Sequence, residues 1–504
     1  MSLKPMTLRQ YQQEGKAEIL DSFRQGYRSV IYCLPTGGGK TAVIGSIAKD
    51  AVDKNKRVLI ITDRQELLSG SAKAILSFGL HPNLITSKTK FLNPSHYCYV
   101  AMSQTLKRRI KDAAYMKWVR DSFDLIMIDE CHKEEFNIFF ESALFQTAHV
   151  IGFTATPSRR GNSRQLGTDY QKIIFGPTVQ ELIAMGYLAM PSYVKVDTNL
   201  DFSSVRTSKI SGEEDYRDED VAKVVDTKIV YVGMVEKYKT YANDTLAIVF
   251  CPNVATAIKA CVEFNESGIE SKFLVTEPQS EEGKALFKEY GKKYTYRRER
   301  LLEDFGQGKF KVLVNAGILT TGYDNPLAKT VIIDRITTSD NLLQQMCGRG
   351  SRFIKGVKED FIIIDMYDNF DRLGEWHLPR HYSLWHSKKS GGLPPMKVCP
   401  KCKWNVFASA KICNNIVMDT GERCNFVFPS KSKVEVVPDM VLTSYGGMKY
   451  NEIKQLCATA SFKQISQMAK EKSFPPSWVY RMATEYNRLD EYYQYIQNES
   501  RIVA

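Results

Sequence analysis

An apolar run leads directly into a glycine-rich loop in the stretch Val30-Ile31-Tyr32-Cys33-Leu34-Pro35-Thr36-Gly37-Gly38-Gly39-Lys40-Thr41. The β-branched run is typical of a buried strand, and residues 42–50 have the apolar spacing of a helix. Three consecutive glycines let backbone N–H groups close around phosphate at the positive end of such a helix. The stretch therefore predicts a phosphate-binding loop in an α/β fold, although Leu34 stands where the strict pattern has glycine.

The side chains of this loop predict its ligands. Lys40 would reach the β- and γ-phosphates as a point charge, and the Thr41 hydroxyl would ligate Mg²⁺. The other phosphate-lining candidates are Thr36, Gly37, Gly38 and Gly39.

A carboxylate pair follows a second apolar run. Asp129 and Glu130 come directly after residues 125–128, in the same α/β unit as the glycine-rich loop. Asp129 is expected to hold Mg²⁺ through its water shell, and Glu130 to orient and polarise the attacking water. Such a pair at the end of a strand is often structural, but its position here favours catalysis.

The same alternation of strand-like and helix-like segments occurs twice along the chain. Strand-like runs occupy residues 30–34, 58–61, 125–128 and 150–153, and again 247–250, 312–314, 331–333 and 361–364. Uninterrupted apolar runs of this length predict parallel strands covered by helices on both faces. The sequence therefore predicts two doubly wound α/β units, with ligands bound beyond the carboxyl ends of their strands.

Composition limits the class of protein. The chain has 504 residues, of which 43% are hydrophobic and 25% charged, a globular balance that excludes a disordered or fibrous chain. It has no apolar stretch long enough to span a bilayer and no signal peptide, so we expect a cytoplasmic protein without a membrane partner. The net charge of +12 suggests a polyanionic partner. Residues 371–504 carry 19 Lys and Arg against 12 Asp and Glu, which is a large part of that excess.

Four of the eleven cysteines form a cluster. Cys399, Cys402, Cys413 and Cys424 follow the spacing C-x2-C-x10-C-x10-C, while the other seven are scattered singly. In a reduced chain this favours a structural Cys₄ zinc site over disulfides. Ten residues separate Cys413 from Cys424, which is wider than is usual for a zinc-binding pair, so free thiols stay open as the alternative.

Together these motifs resemble a superfamily 2 helicase of the DExH type, from about Leu8 to Asp371. The resemblance implies two tandem RecA-like parallel-sheet lobes that bind ATP between them. The motifs that carry it are Leu8-Arg9-Gln10-Tyr11-Gln12, Pro35 to Thr41, Thr62-Asp63-Arg64, Ser103-Gln104-Thr105, Asp129-Glu130-Cys131-His132, Thr154-Ala155-Thr156-Pro157, Leu319-Thr320-Thr321-Gly322-Tyr323-Asp324 and Gln345-Met346-Cys347-Gly348-Arg349-Gly350-Ser351-Arg352.

The resemblance implies a role for each motif. Arg9 and Gln12 would read adenine, Gly322 and Asp324 would contact the nucleotide, and Thr154 and Thr156 would couple hydrolysis to lobe movement. Gln345, Arg349 and Arg352 would belong to the arginine-finger motif, which stabilises charge on the transferred phosphate. The expected phosphate contacts to DNA come from Arg64, Ser103, Thr105, Thr320 and Thr321.

The position of the cysteine cluster narrows the resemblance. A superfamily 2 core followed by a Cys₄ module is similar to the RadD-type bacterial helicases and to phage branch-migration helicases. This implies work on forked, branched or single-stranded DNA in replication, recombination or repair, with a single-strand-binding or recombination protein as a candidate partner. Three alternatives stay open: an RNA helicase, the motor subunit of a restriction complex, and an ATP-switched DNA-binding recruitment factor.

The expected organisation has six parts. They are a first lobe (1–196), a linker with helical parts (197–244), a second lobe (245–371), a basic aromatic linker (372–395), a zinc module (396–430) and a small helical C-terminal region (431–504). In the last region the aromatic residues are expected to form a core, with a base-stacking wedge as the alternative.

Overall fold

The computed structural model describes most of the chain. The described residues are 7–63, 75–86, 88–89, 93, 95–159, 164–196, 207–210, 213–216, 221, 227–319, 323, 325–385, 396–402, 405–407, 411–413, 423–428, 450–471, 474 and 476–502. Contacts divide the chain into two units, 1–428 and 429–504.

The first lobe is built on a seven-stranded sheet in which neighbouring strands run parallel. The strands lie in the order β3-β4-β2-β5-β6-β1-β7. Their bounds are β1 Ser29–Cys33, β2 Val58–Thr62, β3 Asn83–Ile85, β4 Cys98–Met102, β5 Leu125–Asp129, β6 His149–Thr154 and β7 Lys172–Phe175.

Helices cover both faces of this sheet. They are α1 Gln10–Arg24, α2 Lys40–Asp53, α3 Ser103–Arg108, α4 Ala113–Ser122, α5 Asn137–Glu141 and α6 Val179–Ala184, with 3₁₀ turns at Glu134–Phe136 and Leu166–Thr168. Strands β2 and β5 are buried along their whole length, as expected of inner strands between two helical layers. All four predicted strands of this lobe are present. The glycine-rich loop follows the carboxyl end of β1, and Asp129 lies at the carboxyl end of β5.

The second lobe is built on a six-stranded parallel sheet with the order β12-β13-β11-β14-β15-β8. The strands are β8 Met190–Lys195, β11 Ala247–Cys251, β12 Ser271–Leu274, β13 Val312–Ala316, β14 Thr330–Ile333 and β15 Asp360–Asp365. The helices are α7 Thr227–Tyr241, α8 Val254–Glu266, α9 Glu281–Tyr294, α10 Arg298–Gly306, α11 Asp340–Cys347 and α12 Asn369–Leu373. Two parallel-sheet α/β lobes are therefore present, as the sequence predicted.

Strand β8 crosses from one lobe to the other. It lies within the range 1–196 expected to form the first lobe, yet it pairs along its length with β15 of the second sheet. The chain thus contributes one strand to the second sheet before it enters the segment expected to be a linker.

That segment contains a hairpin as well as a helix. The antiparallel strands β9 Thr207–Ile210 and β10 Glu213–Tyr216 precede α7. Asp215, which is 2% exposed, accepts hydrogen bonds from Arg335 Nη2 and Thr337 Oγ1, each at 3.0 Å, and from Thr338 N at 2.9 Å. These bonds join the hairpin to the second lobe, just beyond the end of β14.

The cysteine region contains a small hairpin, β16 Met396–Val398 with β17 Asn405–Phe407. Unit 429–504, taken by itself, consists in its described part of α13 Tyr450–Leu456, α14 Phe462–Glu471, α15 Pro476–Glu485 and α16 Leu489–Ile502. Its core includes Ile453, Ile465, Met468, Trp478 and Met482, so the aromatic Trp478 packs inward. Among the described residues, none of the helices is long and apolar enough to cross a bilayer.

The Asp215 contact yields a test of the hairpin. Replacing Asp215 with Ala leaves Arg335, which is 9% exposed, without its buried ion-pair partner. We expect the free energy of unfolding to fall by about 3–5 kcal/mol, measured by urea denaturation. Asp360→Ala, which removes a half-exposed ion pair with Lys329, is the control and should cost about 1 kcal/mol or less. Equal losses in the two variants would contradict the anchoring role of Asp215.

Candidate nucleotide and zinc sites

Backbone geometry explains the glycines of the phosphate loop. Gly37 and Gly39 have φ angles of +88° and +87°, which disfavour a side chain. A Cβ on Gly39 would lie 2.4 Å from Gln12 Nε2, and one on Gly37 would lie 2.7 Å from a Leu188 methyl carbon. Helix α2 begins at Lys40, so its positive end faces the loop.

The residues expected to read adenine pack against this loop. Gln12 Nε2 and the Tyr11 hydroxyl donate to the Gly38 carbonyl, at 2.9 and 2.7 Å, while Gln12 Oε1 accepts from Arg9 N at 2.9 Å. The Arg9 guanidinium lies 4.2 Å from the centre of the Tyr187 ring. Tyr11 and Tyr187 are additions to the predicted set, since their contacts with Gly38 and Arg9 become visible only in the fold.

The carboxylate pair lies beside the loop in a buried setting. Burial and the neighbouring Glu130 raise the pKa of Asp129 to about 7. Burial alone would also raise the pKa of Glu130, but the charges of Lys40, His132 and Lys133 outweigh it and lower that pKa. Glu130 has a φ of +51°, a strained conformation for a residue with a side chain. The two carboxyls therefore differ in proton affinity although they are adjacent in the chain.

The two residues expected to couple hydrolysis to movement lie next to Glu130. Thr154 Oγ1 is 3.5 Å from Glu130 Oε2 and 2.7 Å from His132 Nδ1, and it accepts from Thr156 N at 3.0 Å. His132 Nδ1 is also 3.5 Å from Glu130 Oε2. The end of β6 is therefore in direct contact with the side chains of Glu130 and His132.

Arg159 is a buried support of this site that the sequence prediction missed. It is 4% exposed, and it donates to the carbonyls of His132 and Cys131 at 2.7 and 3.2 Å. Its guanidinium also lies 3.7 Å from the buried Asp169 carboxylate. Arg159 thus fixes the backbone just after Glu130. Its place two residues after the Thr154–Pro157 motif was the signal available in the sequence.

The arginine motif of the second lobe reaches the phosphate loop. Arg352 Nη1 donates to the Gly37 carbonyl at 3.0 Å, and a Cβ on Gly348 would lie 2.7 Å from Thr36. Arg349 donates to the Tyr323 carbonyl, and its charge helps to lower the pKa of Glu130. Gln345 is buried on α11. Residues more than 300 positions apart in the chain therefore meet across the cleft between the lobes.

The residues expected to contact DNA are less fully described. Ser103 and Thr105 begin α3, where Ser103 is buried and Thr105 is half-buried. Lys133 pairs with Asp63 in the neighbouring motif. Three residues predicted to contact DNA lie outside the described residues: Arg64, Thr320 and Thr321. The same is true of Gly322 and Asp324, which were predicted to contact the nucleotide.

The donor set fits a magnesium-bound nucleotide. Two φ-positive glycines shape the loop. Lys40 donates to the Leu34 carbonyl at 3.2 Å, and its charge acts on Asp129. Asp129 and Thr41 supply the oxygen ligands that Mg²⁺ prefers. These residues can therefore hold a triphosphate and its metal.

The four clustered cysteines fit a zinc ion equally well. Their sulfur atoms all lie within 4.8 Å of one another, with Cys399–Cys424 at 3.7 Å and Cys402–Cys413 at 3.6 Å. A tetrahedral site with Zn–S bonds of about 2.3 Å requires sulfurs about 3.8 Å apart. Although burial opposes it, hydrogen bonds from the backbone N–H groups of Cys402 and Lys401 lower the pKa of Cys399 to about 7. The wide spacing of the last two cysteines thus does not prevent a closed site.

The zinc fit leads to a measurement. The purified chain should contain about one zinc per molecule by elemental analysis, and Cys402→Ser should lose it, because three thiolates bind far more weakly than four. Cys98→Ser, at a scattered buried cysteine, is the control and should keep the metal. Full folding of the 396–428 region without metal would contradict a zinc-dependent module.

Comparison with known proteins places this geometry in a family. The protein-family model described as "Type III restriction enzyme, res subunit" matches residues 5–159 of this chain. A second family model, described as "Helicase conserved C-terminal domain", matches residues 227–354. Together the two matches cover more than half of the chain. The boundary between the lobes, between β7 and β8, lies in the part of the chain between the two matches.

Relatives with similar sequences include a candidate mitochondrial ATP-dependent helicase, irc3, of Schizosaccharomyces pombe. It is 27% identical over 384 residues, which are 73% of this chain and 58% of that protein. The chain thus spans little more than half of that relative. A 51.5 kDa protein of a Lactococcus phage is 27% identical over 389 residues, covering 75% of this chain and 76% of the phage protein.

A solved structure has the same fold. It is a fragment of a candidate HsdR subunit of a type I restriction enzyme from Vibrio vulnificus, with a TM-score of 0.54 and 23% identity over 73% of this chain and 66% of that one. One of the two matched regions lies in each parallel-sheet lobe of this structure. The chain belongs to the superfamily 2 helicases, a family of ATP-dependent enzymes.

Proposed function

We propose that this chain is a DNA-stimulated ATPase that moves along DNA and unwinds or remodels forked or branched structures. The observation that carries the proposal is the Arg352–Gly37 contact, which joins the arginine motif of one lobe to the phosphate loop of the other. A nucleotide held there would touch both lobes, so its hydrolysis would change the contacts that keep them together. That differential contact is what a ligand-driven conformational change requires.

Each residue of the cleft has a role in this proposal. Lys40 and the N–H groups of the loop hold the β- and γ-phosphates, and Asp129 and Thr41 hold Mg²⁺, which neutralises charge on the phosphates when bound. Glu130, ionised because Lys40 and its neighbours lower its pKa, orients the attacking water and accepts its proton. Arg352 and Arg349 stabilise the negative charge that develops on the transferred phosphoryl group. Gln12 and Arg9 contact the adenine.

The coupling step follows from the contacts of Thr154. Its hydroxyl contacts Glu130 and His132 and accepts a hydrogen bond from the backbone of Thr156. The loss of the γ-phosphate would therefore change the contacts at the end of β6. The lobes would then open and close around DNA held by hydroxyl and N–H groups at phosphates, including Ser103 and Thr105. Such contacts are independent of sequence, as a moving enzyme needs.

The preference for branched DNA is proposed for the region beyond the lobes. Residues 371–504 hold an excess of positive charge, and Lys401 lies on the Cys₄ cluster, where its ammonium donates to the Cys424 carbonyl at 2.8 Å. A zinc-bound module with lysines around it would meet phosphates outside the cleft. Recombination, replication and repair are the processes in which such DNA occurs.

A panel of nucleic acids tests the proposal. ATP turnover should be stimulated most by forked or four-way DNA, less by single-stranded or duplex DNA, and least by matched RNA, which differs at the 2′-OH. Lys40→Ala should lower turnover by at least about a hundredfold on every substrate, since it removes charge from the phosphate site. Lys54→Ala, beyond the far end of α2, is the control.

Two outcomes would contradict the proposal. Stimulation by RNA equal to that by DNA would favour an RNA helicase. Nucleic-acid binding that depends on ATP without strand separation or movement on any substrate would favour the recruitment factor.

A further inference from the structure

The strand that leads to Asp63 lies between the catalytic strand and a strand that leads to an expected DNA contact. In the first sheet, β2 is flanked by β4 on one side and by β5 on the other. Thr62 of β2 is in register with Met102 of β4, and Ile61 of β2 is in register with Ile128 of β5. The carboxyl ends of the three strands are therefore adjacent, and Asp63 is the residue that follows the middle one.

The neighbours of Asp63 belong to two different sites. Glu130, expected to orient the attacking water, directly follows β5, and α3, which carries the expected DNA contact Thr105, directly follows β4. Arg64, also expected to contact DNA, is the next residue in the chain after Asp63. A side chain that joins Asp63 to the turn at Glu130 would thus connect the expected DNA contacts with the site of hydrolysis.

Lys133 makes this connection. It forms an ion pair with the Asp63 carboxylate, in which 20% of the lysine side chain and 7% of the aspartate side chain are exposed. Lys133 N donates to the Glu130 carbonyl at 3.1 Å, which closes the turn of residues 130–133. The ammonium charge of Lys133 also acts on Glu130. One side chain is therefore linked both to the end of β2 and to the catalytic carboxylate.

The backbone of that turn is held in place from the other side. Arg159, which is 4% exposed, donates to the carbonyls of Cys131 and His132, the two middle residues of the turn. A shift of Asp63 would therefore displace the ammonium at the end of the turn rather than distort the backbone. Charges interact strongly in a buried setting, so this displacement would change the electric field at the catalytic carboxylate.

We propose that Lys133 and Asp63 are positioning residues that transmit the binding of DNA to Glu130. The inference rests on the proposed stimulation of ATP turnover by DNA. DNA held at Thr105 and at the residue after Asp63 would shift the end of β2, and the ion pair would then set the position of the ammonium beside Glu130. Such coupling needs two arrangements of the ion pair that DNA stabilises to different extents. Neither residue has to touch the nucleotide or the DNA.

The test is the ratio of kcat with saturating forked DNA to kcat without DNA. Lys133→Met keeps the length of the side chain and removes its charge, and Asp63→Asn does the same for its partner. Each should lower the ratio at least about fivefold, the low end of a typical coupling between two sites. The double variant should lower it no further, because all three proteins lack the same link. Lys133→Arg, which can form the ion pair again, should restore most of the ratio.

Lys16 provides the matched control. Its side chain is 17% exposed and forms an ion pair with Asp50 at 2.7 Å, in the same lobe but between α1 and α2. Lys16→Met should leave the ratio unchanged although it also removes a largely covered ammonium. Urea denaturation of both Met variants separates loss of the ratio from loss of folding. The dissociation constant for forked DNA, measured by fluorescence anisotropy, should change little in Lys133→Met.

A ratio that stays unchanged in Lys133→Met and Asp63→Asn would overturn the proposal, whether or not kcat itself falls. The same holds for a loss that Lys16→Met reproduces, or one that Lys133→Arg does not reverse. If no DNA stimulates the unmodified chain, the proposed function fails together with this inference. If DNA stimulates the unmodified chain and the two variants alike, only this inference fails.

Discussion

The contact between the Arg352 guanidinium and the Gly37 carbonyl is the constraint on which the rest of the site depends. It brings a positive charge from the second lobe to a loop whose backbone must stay free of side chains. The glycines leave room not only for a ligand but also for Gln12, Leu188 and Ser351, which press on the loop from the two lobes. Arginine at this point therefore joins the second lobe to the phosphate loop of the first.

Burial and charge shift the pKa values of the two carboxyls in opposite directions. Asp129 and Glu130 are neighbours in the chain, yet Lys40, His132 and Lys133 lower the pKa of Glu130 while burial and Glu130 raise that of Asp129. One carboxyl is thus kept ionised beside the other. A divalent cation at Asp129 would supply the charge that its surroundings lack.

Much of the fold could be predicted because its strands are long apolar runs. The runs near Val30, Val58, Leu125 and Ala247 are buried strands, and the loops after them hold the expected residues. Strands β3 and β7 were missed because they are short and lie at the edges of the sheet, where burial is incomplete. The β9–β10 hairpin was missed because its anchor, Asp215, is a polar residue whose partners lie about 120 positions away.

The site was predicted less evenly. The candidate residues come from contiguous motifs, and the structure places Gln12, Lys40 and Arg352 in contact with the phosphate-loop segment and Glu130 within reach of the Lys40 charge. Tyr187 acts through a contact with Arg9 that no local pattern reveals. His132 belongs to a motif quoted from the sequence and Arg159 follows one closely, but their contacts with Thr154 and with the backbone after Glu130 become visible only in the fold. The zinc geometry likewise resolves a spacing that the sequence left ambiguous, since Cys413 and Cys424 are adjacent in space although ten residues separate them.

The most direct test of a shared reaction centre is the steady-state ATPase of Arg352→Ala beside that of Arg300→Ala, an exposed arginine on α10. If Arg352 acts as an arginine finger, kcat should fall by about a thousandfold in Arg352→Ala, while Mg-ATP binding changes little. Arg300→Ala should behave as the unmodified chain. A kcat for Arg352→Ala within a few-fold of that value would contradict catalysis between the lobes.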